Sequence, residues 1–320
     1  MDKSAKIYVA GHRGLAGSAF VRRLERGGYA NIVTRTHAEL DLTDAQATRA
    51  FFEAERPDYV LLAAAKVGGI LANDTYPADF IRENLAIQTN VIHQAYTNGV
   101  KRLLFLGSSC IYPRDCPQPM REDYLLTGPL EPTNRAYALA KIAGVEMCWS
   151  YNRQHGAQFL AAMPTNLYGP GDNYNLQTSH VLPALMRKMH EAREAGQPQM
   201  EIWGSGKPLR EFMHSDDMAD ACVHLLELPE AEFARLTSSK TVAPLLNVGT
   251  GIDQTILELA GLIRKTVGYT GEFVFDASKP DGTPRKLLDV SRLHGTGWRP
   301  HFTLETGLAD AYRDFLENHV

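Results

Sequence analysis

Apolar and polar positions alternate along this chain with two periods, and the period switches repeatedly through the first half. Lys6–Ala10 is a short apolar run, Leu15–Arg26 spaces its apolar residues as a helix does, and Asn31–Arg35 is extended again. The same beat predicts a strand over Tyr59–Ala64, a helix over Ala78–Asn98 and a strand over Arg102–Gly107. A helix over Ala136–His155 and a strand over Gln158–Met163 follow. Strands that alternate with helices join by right-handed crossovers, which gives a parallel sheet covered on both faces.

The expected fold class is therefore α/β, a doubly wound parallel sheet of the Rossmann type with a smaller C-terminal domain. After Gly171 the rhythm loosens into segments punctuated by Gly and Pro, such as Trp203-Gly-Ser-Gly-Lys-Pro208 and Ser278-Lys-Pro-Asp-Gly-Thr-Pro284, between helices near Leu182–Ala195 and Thr255–Val267. The run Leu245–Val248, closed by Gly249-Thr-Gly251, reads as one more sheet strand. Residues 1–171 are expected to form the dinucleotide-binding domain, with a return to it around 211–251. Residues 172–210 and 252–320 are left for the second domain.

Composition narrows the class without naming it. The chain has 320 residues, 44% hydrophobic, enough for a large core, and a formal charge of −4 gives no electrostatic reason to expect nucleic acid or an anionic membrane. Met1 to Val9 lacks the apolar stretch of a signal peptide, and no window is long and apolar enough to span a bilayer, so a cytoplasmic location is expected. The four cysteines, Cys110, Cys116, Cys148 and Cys222, lack metal-type or CxxC spacing, and reduced thiols are the expectation.

Directly after the first strand, Gly11-His12-Arg13-Gly14-Leu15-Ala16-Gly17 opens a helix. A tight turn, a close approach of backbone to pyrophosphate and helix-on-strand packing all call for glycine there, and the helix N-terminus offers free N–H groups to phosphate. The second strand of such a unit ordinarily delivers an acid about 20 residues on, for the ribose 2′-hydroxyl of NAD. Here Arg35 stands in its place and Arg13 sits within the loop, two guanidinium groups suited to a 2′-phosphate. NADP(H) is favoured over NAD(H), against the plainer reading of exposed arginines at a strand end. Asp41 is a candidate for the adenine amino group.

Tyr137-Ala-Leu-Ala-Lys141 places a phenol and an ammonium one helical turn apart. The cation is expected to lower the tyrosine's pKa and make it usable as acid or base. YxxxK alone carries little. Ser108, just past the strand Arg102–Gly107, adds a hydroxyl at a strand's C-terminal end, where open α/β sheets bind ligands. Were the chain to stay extended there, Ser108 and Cys110 would share one face.

With these motifs in view, the chain resembles the extended short-chain dehydrogenases/reductases and, within them, the GDP-L-fucose synthase family. The resemblance runs nearly the whole length. It rests on Gly11–Gly17, Ala63-Ala-Ala-Lys-Val-Gly-Gly69, Asn73-Asp-Thr-Tyr-Pro-Ala-Asp79 and Leu106-Gly-Ser-Ser-Cys-Ile-Tyr-Pro113. Further support comes from Glu131-Pro-Thr-Asn134, Pro164-Thr-Asn-Leu-Tyr-Gly-Pro170 and Ser278–Arg285. It implies reduction of GDP-4-dehydro-6-deoxy-D-mannose to GDP-L-fucose after inversion of C3 and C5 in one site.

That resemblance assigns Cys110 as base and His180 as acid in the inversions, although a lone cysteine or histidine is more often structural. Tyr137 would protonate the C4 oxygen, Ser108 would polarise it and Lys141 would also hold the nicotinamide ribose. Leu42, Leu106, Gly107, Ser109, Pro164, Thr165, Asn166, Leu167 and His180 join the glycine loop as expected cofactor contacts. Lys188, Trp203, Arg210 and Asp281 are the expected substrate contacts, with ordinary packing the alternative for Trp203. Lys188 and His37 stand where close relatives carry arginine, so the charge is kept at Lys188 without the bidentate fork and NADP selectivity rests on Arg13 and Arg35. A homodimer is implied, through the helices Ala78–Asn98 and Ala136–His155.

Two rivals remain open. Another nucleotide-sugar epimerase, reductase or dehydratase would share the fold, but dehydratases of this kind carry a Thr-Asp-Glu type triplet where this chain has Ser108-Ser-Cys110. A non-catalytic NADP(H)-sensing protein would ordinarily lose the tyrosine or lysine, and both are present.

Overall fold

The strands of the first half are apolar on both faces because helices cover both. In the computed structural model, which describes residues 1–276, Ser278 and 281–320, the chain starts with β1 (Ile7–Ala10), α1 (Leu15–Arg26), β2 (Ile32–Val33), α2 (Ala45–Glu55) and β3 (Tyr59–Leu62). It continues through α3 (Ile70–Thr75), α4 (Pro77–Thr97), β4 (Arg102–Leu106), α5 (Arg135–His155) and β5 (Phe159–Pro164). The second half runs β6 (Asn166–Tyr168), α6 (Val181–Glu194), β7 (Gln199–Trp203), β8 (Leu209–His214), α7 (Ser215–Glu227), α8 (Glu230–Thr237) and β9 (Leu245–Val248). It finishes with β10 (Asp253–Thr255), α9 (Ile256–Val267), β11 (Glu272–Asp276), β12 (Arg285–Lys286), α10 (Ser291–His294) and α11 (Leu304–Asn318).

Six strands form one parallel sheet in the order β2-β1-β3-β4-β5-β9. Phe52, Val91, Val145 and Phe105 pack on one face of it, and Phe20, Leu24, Met218 and Leu225 on the other, all essentially without solvent contact. Each such side chain contributes roughly 1.5–3 kcal/mol by leaving water. Strand order reverses between β1 and β3, and the C-terminal ends of these two strands open a crevice. β2 is shorter than the expected Asn31–Arg35. As an edge strand only half covered, it pairs through two residues before the chain turns off toward that crevice.

A second, smaller sheet is built around β8, which pairs with β10, β12 and β6. β7 and β11 form a separate parallel pair. Tyr168, Met186, Phe212, Ile263 and Phe315 make the core of this part. The chain leaves the large sheet at Pro164; β8 through His214 pairs in the smaller sheet, and from Ser215 α7 packs on the large one again. Among the described residues no helix is long and apolar enough to cross a membrane.

Candidate active site

The glycine loop is shaped by two close approaches. Gly11 has φ +85°, and a Cβ there would lie 2.7 Å from the backbone nitrogen of Ala64; a Cβ on Gly17 would overlap the Gly11 carbonyl. The loop therefore lies against the end of β3 and delivers α1 with its first turn open. Gly14 caps that helix with no side-chain bond and the first turn carries no acid, so its N–H groups and positive end face the crevice unneutralised. These residues fit a dinucleotide diphosphate.

All the expected cofactor residues line a single cleft of about 870 Å³, from Gly11–Gly17 and Arg35 through Asp41, Leu42 and Leu106–Ser109 to Tyr137, Lys141, Pro164–Leu167 and His180. Ala63–Val67, Thr36, Ala38 and Ile87 also line it and are not among the expected contacts; of these the Ala63–Val67 stretch is detectable, as a motif without a role. Arg35 is less available than expected. Its guanidinium donates to Glu55 at 2.6 Å and to the Thr34 carbonyl at 2.7 Å, whereas Arg13 is exposed at the mouth. His37 points mostly into solvent, 3.8 Å from Asp41.

At the inner end, β4 delivers Ser108 and α5 delivers Tyr137 and Lys141. Past Ser108 the chain does not stay extended: Ser109–Ile111 is a 3₁₀ turn whose Cys110 N–H is capped by Ser108 Oγ at 3.4 Å. The two side chains are brought together by that turn and not by strand alternation, because serine favours bonding the backbone two residues on. Lys141 is buried, donates to the Leu106 carbonyl at 2.8 Å and lies over the rings of Phe105 and Tyr137. Burial lowers its pKa to about 8.

The tyrosine corrects the expectation of a lowered pKa. Burial, then the nearby Cys110, push the Tyr137 phenol well above its ordinary value, and only the Ser108 hydrogen bond opposes them. The ammonium faces the ring while donating to a carbonyl, so in this dry site desolvation outweighs it. Tyr137 is held protonated, as a proton donor. Burial also pushes the Cys110 thiol up, while Ser108, Lys286 and Lys141 pull it down. His180 caps α6 without a side-chain bond and lines the cleft; its pKa is lowered by desolvation, so it rests as a neutral imidazole and not as the charged acid.

Lys286 is the residue that reading the chain left out. β12 pairs with β8 so that Lys286 is the register partner of Arg210. Each is desolvated enough to lower its pKa, and Arg210 lowers that of Lys286 further. Neither is ion-paired to a carboxylate among the described residues, the guanidinium donating to the Leu209 carbonyl. Two adjacent, partly dry cations without a direct ion pair, with Lys286 also near the Cys110 thiol, are suited to an anion such as a diphosphate.

The other expected substrate residues lie in the smaller part, outside the dinucleotide cleft. Lys188 sits over the half-exposed ring of Trp203, 4.7 Å from its centroid. Asp281 is already bonded, accepting from Ser205 N–H at 2.6 Å and Ser205 Oγ at 2.7 Å, and so it braces the turn after Trp203. Lys279 and Pro280 of the expected Ser278–Arg285 motif lie outside the described residues.

The chain is similar along its whole length to known proteins. A GDP-L-fucose synthase of Escherichia coli (strain K12) is 57% identical over 313 residues, covering 98% of this chain and 97% of its own. A putative GDP-L-fucose synthase 2 of Arabidopsis thaliana is 57% identical over 320 residues, 100% of this chain and 94% of its own. The solved structure of a GDP-mannoheptose C4 reductase from Campylobacter jejuni with NADP bound superposes with a TM-score of 0.89 at 39% identity, covering 99% of both chains. Residues 7–235 match the NAD dependent epimerase/dehydratase family, and with a glycine loop, a Ser–Tyr–Lys set and relatives of this likeness along its whole length, the chain belongs to that family.

Proposed function

We propose that this enzyme converts GDP-4-dehydro-6-deoxy-D-mannose to GDP-L-fucose by inverting C3 and C5 and then reducing the C4 ketone with NADPH. The observation that carries the reading is the place of Cys110: a buried thiol close enough to Ser108, Tyr137, Lys141 and Lys286 to interact with each of them. Ketone reduction alone needs the serine, tyrosine and lysine. A thiol among them adds a base for protons that are acidic only because their carbons flank the ketone.

In this reading Cys110, as the thiolate, removes those protons, with Lys141 and Lys286 compensating its charge, and His180, neutral at rest, takes up a proton from solvent and delivers it to the opposite face. Ser108 and Tyr137 donate to the C4 oxygen, where negative charge builds in both phases of the reaction. Gly11–Gly17, Arg13, Arg35, Lys141 and Thr165–Leu167 would hold the dinucleotide, which would supply the hydride. Arg210 and Lys286 hold the diphosphate and Trp203 offers a shelf to the base. Residues 172–210 and 252–320 carry the sugar-nucleotide part.

A second reading, a C4 reductase without inversion, is favoured by the likeness to the GDP-mannoheptose C4 reductase. Incubation with the ketone and NADPH in deuterated water separates them. Loss of NADPH absorbance with deuterium at C3 and C5 and GDP-L-fucose as product is expected. NADPH consumption without deuterium uptake would leave the reductase, and no consumption would sink both.

Lys141 gives a pH dependence. Its pKa near 8 means that it is charged at pH 7 and mostly neutral at pH 9. If the ammonium holds the nicotinamide ribose, the affinity for NADPH should weaken about ten-fold between those pH values, since binding to the charged form alone is linked to its population. Calorimetric titration reads this directly. A flat profile in the wild type, or the same slope in Lys141→Met, would remove Lys141 from cofactor binding.

A further inference from the structure

Glu211 follows Arg210 on β8 and is fully buried, 0% exposed. One carboxylate oxygen accepts from the N–H groups of Thr250 at 2.6 Å and Gly251 at 2.8 Å, and from the Thr250 hydroxyl at 3.3 Å; the other accepts from Leu288 N–H at 2.9 Å. Its backbone carbonyl accepts from Thr165 Oγ1 at 3.2 Å and Asn166 Nδ2 at 2.8 Å. Four segments meet at this one residue. They are β8 with Arg210, the turn after β9, the stretch just past Lys286, and the Thr165–Asn166 wall of the dinucleotide cleft.

Neutral packing would hold a core together without the cost of dehydrating a charge. Here no cation is paired with the carboxylate among the described residues; backbone N–H groups from two separate segments, and one hydroxyl, converge on it. Room is kept for it as well, since a Cβ on Gly249 would lie 2.3 Å from Glu211 Oε1. Side chains alternate along a strand, so Glu211 lies on the opposite face of β8 from Arg210. It grips the backbone on the side of β8 away from Arg210.

We propose that Glu211 is a positioning residue that fixes Arg210 and Lys286, as a pair, at a set distance from the Thr165–Asn166 wall. Diphosphate and nicotinamide subsites are thereby held in one register, although Glu211 touches neither ligand. The inference rests on the reading of this site as one for a nucleotide diphosphate sugar.

Glu211→Gln preserves size but turns an amide NH₂ toward backbone donors. The dissociation constant of GDP, used as the probe, and the KM for the sugar nucleotide should rise about ten-fold or more, as expected when a clamp is displaced by a fraction of an ångström. The NADPH dissociation constant should stay within about two-fold, and kcat should fall less than KM rises. Gly249→Ala pushes the same carboxylate from the other side and should give the same split, which keeps the test available if Glu211→Gln does not fold; Glu211→Asp should be intermediate. Unchanged GDP binding in the folded variants, or GDP and NADPH affinities falling together with the melting temperature, would overturn the inference and leave Glu211 a structural residue. Failure of the wild type itself to bind GDP would overturn the reading of the site and this inference with it.

Discussion

Tyr137→Phe should lower the rate of ketone reduction by about 10³-fold, the scale of removing both a general acid and an oxyanion donor from a dry site, while NADPH binding stays within about two-fold. The ring that remains keeps its edge contact with Phe80, 6.2 Å between centroids, and its place under Lys141, so the change is confined to the hydroxyl. That hydroxyl is held protonated by burial and by the neighbouring thiol. A phenol in that state gives up its proton only when the C4 oxygen becomes a stronger base than phenolate, as it does when hydride arrives. The variant should still exchange the protons flanking the ketone with solvent, since Ser108 continues to polarise the carbonyl. Single-turnover NADPH oxidation is the measurement, and a rate within about ten-fold of wild type would remove Tyr137 as the proton donor.

The contrast between local and distant sequence explains what reading the chain could reach. Gly11–Gly17 and Tyr137–Lys141 were legible because their chemistry depends on neighbours within one turn or loop, and Ser108 because strand ends of an open sheet have a fixed role. Lys286 was not, since only the pairing of β12 with β8 sets it beside Arg210 and Cys110. The direction of the Tyr137 shift was missed because a charge at i+4 can be read from spacing, whereas dryness depends on everything packed around it. The pairing of Arg35 with Glu55 on α2 belongs to the same class. That helix is hard to see although Asp44 caps it, accepting from Gln46 and Ala47 N–H, because its buried stripe is short and carries the polar Thr48 beside Phe51 and Phe52. The extended run assumed for Ser108–Cys110 failed for a local reason instead, the preference of serine for capping a turn.

Cys110→Ser should abolish inversion with little effect on reduction, the complement of Tyr137→Phe. Serine keeps the shape of the 3₁₀ turn and the N–H that Ser108 caps, but an alcohol is a far weaker acid than a thiol and supplies no usable base near neutral pH. Exchange at C3 and C5 should fall by about 10²–10⁴-fold, the range of a positioned base. NADPH should still be consumed, because Ser108, Tyr137 and Lys141 are intact, and the product should be the reduced sugar with C3 and C5 unturned. The pH profile follows from the same residue. Burial raises the Cys110 pKa above that of an ordinary thiol while Ser108, Lys286 and Lys141 pull against it, so the base-competent thiolate is the minority form at neutral pH. Wild-type exchange should climb with pH from neutrality into the alkaline range and level off only once the thiol is ionised. Removing a compensating cation by Lys286→Met should push that rise to still higher pH. Exchange that is flat with pH in the wild type, or that survives in Cys110→Ser, would mean that another group takes the proton. A normal inverted product from the serine variant would remove the thiol from the mechanism altogether.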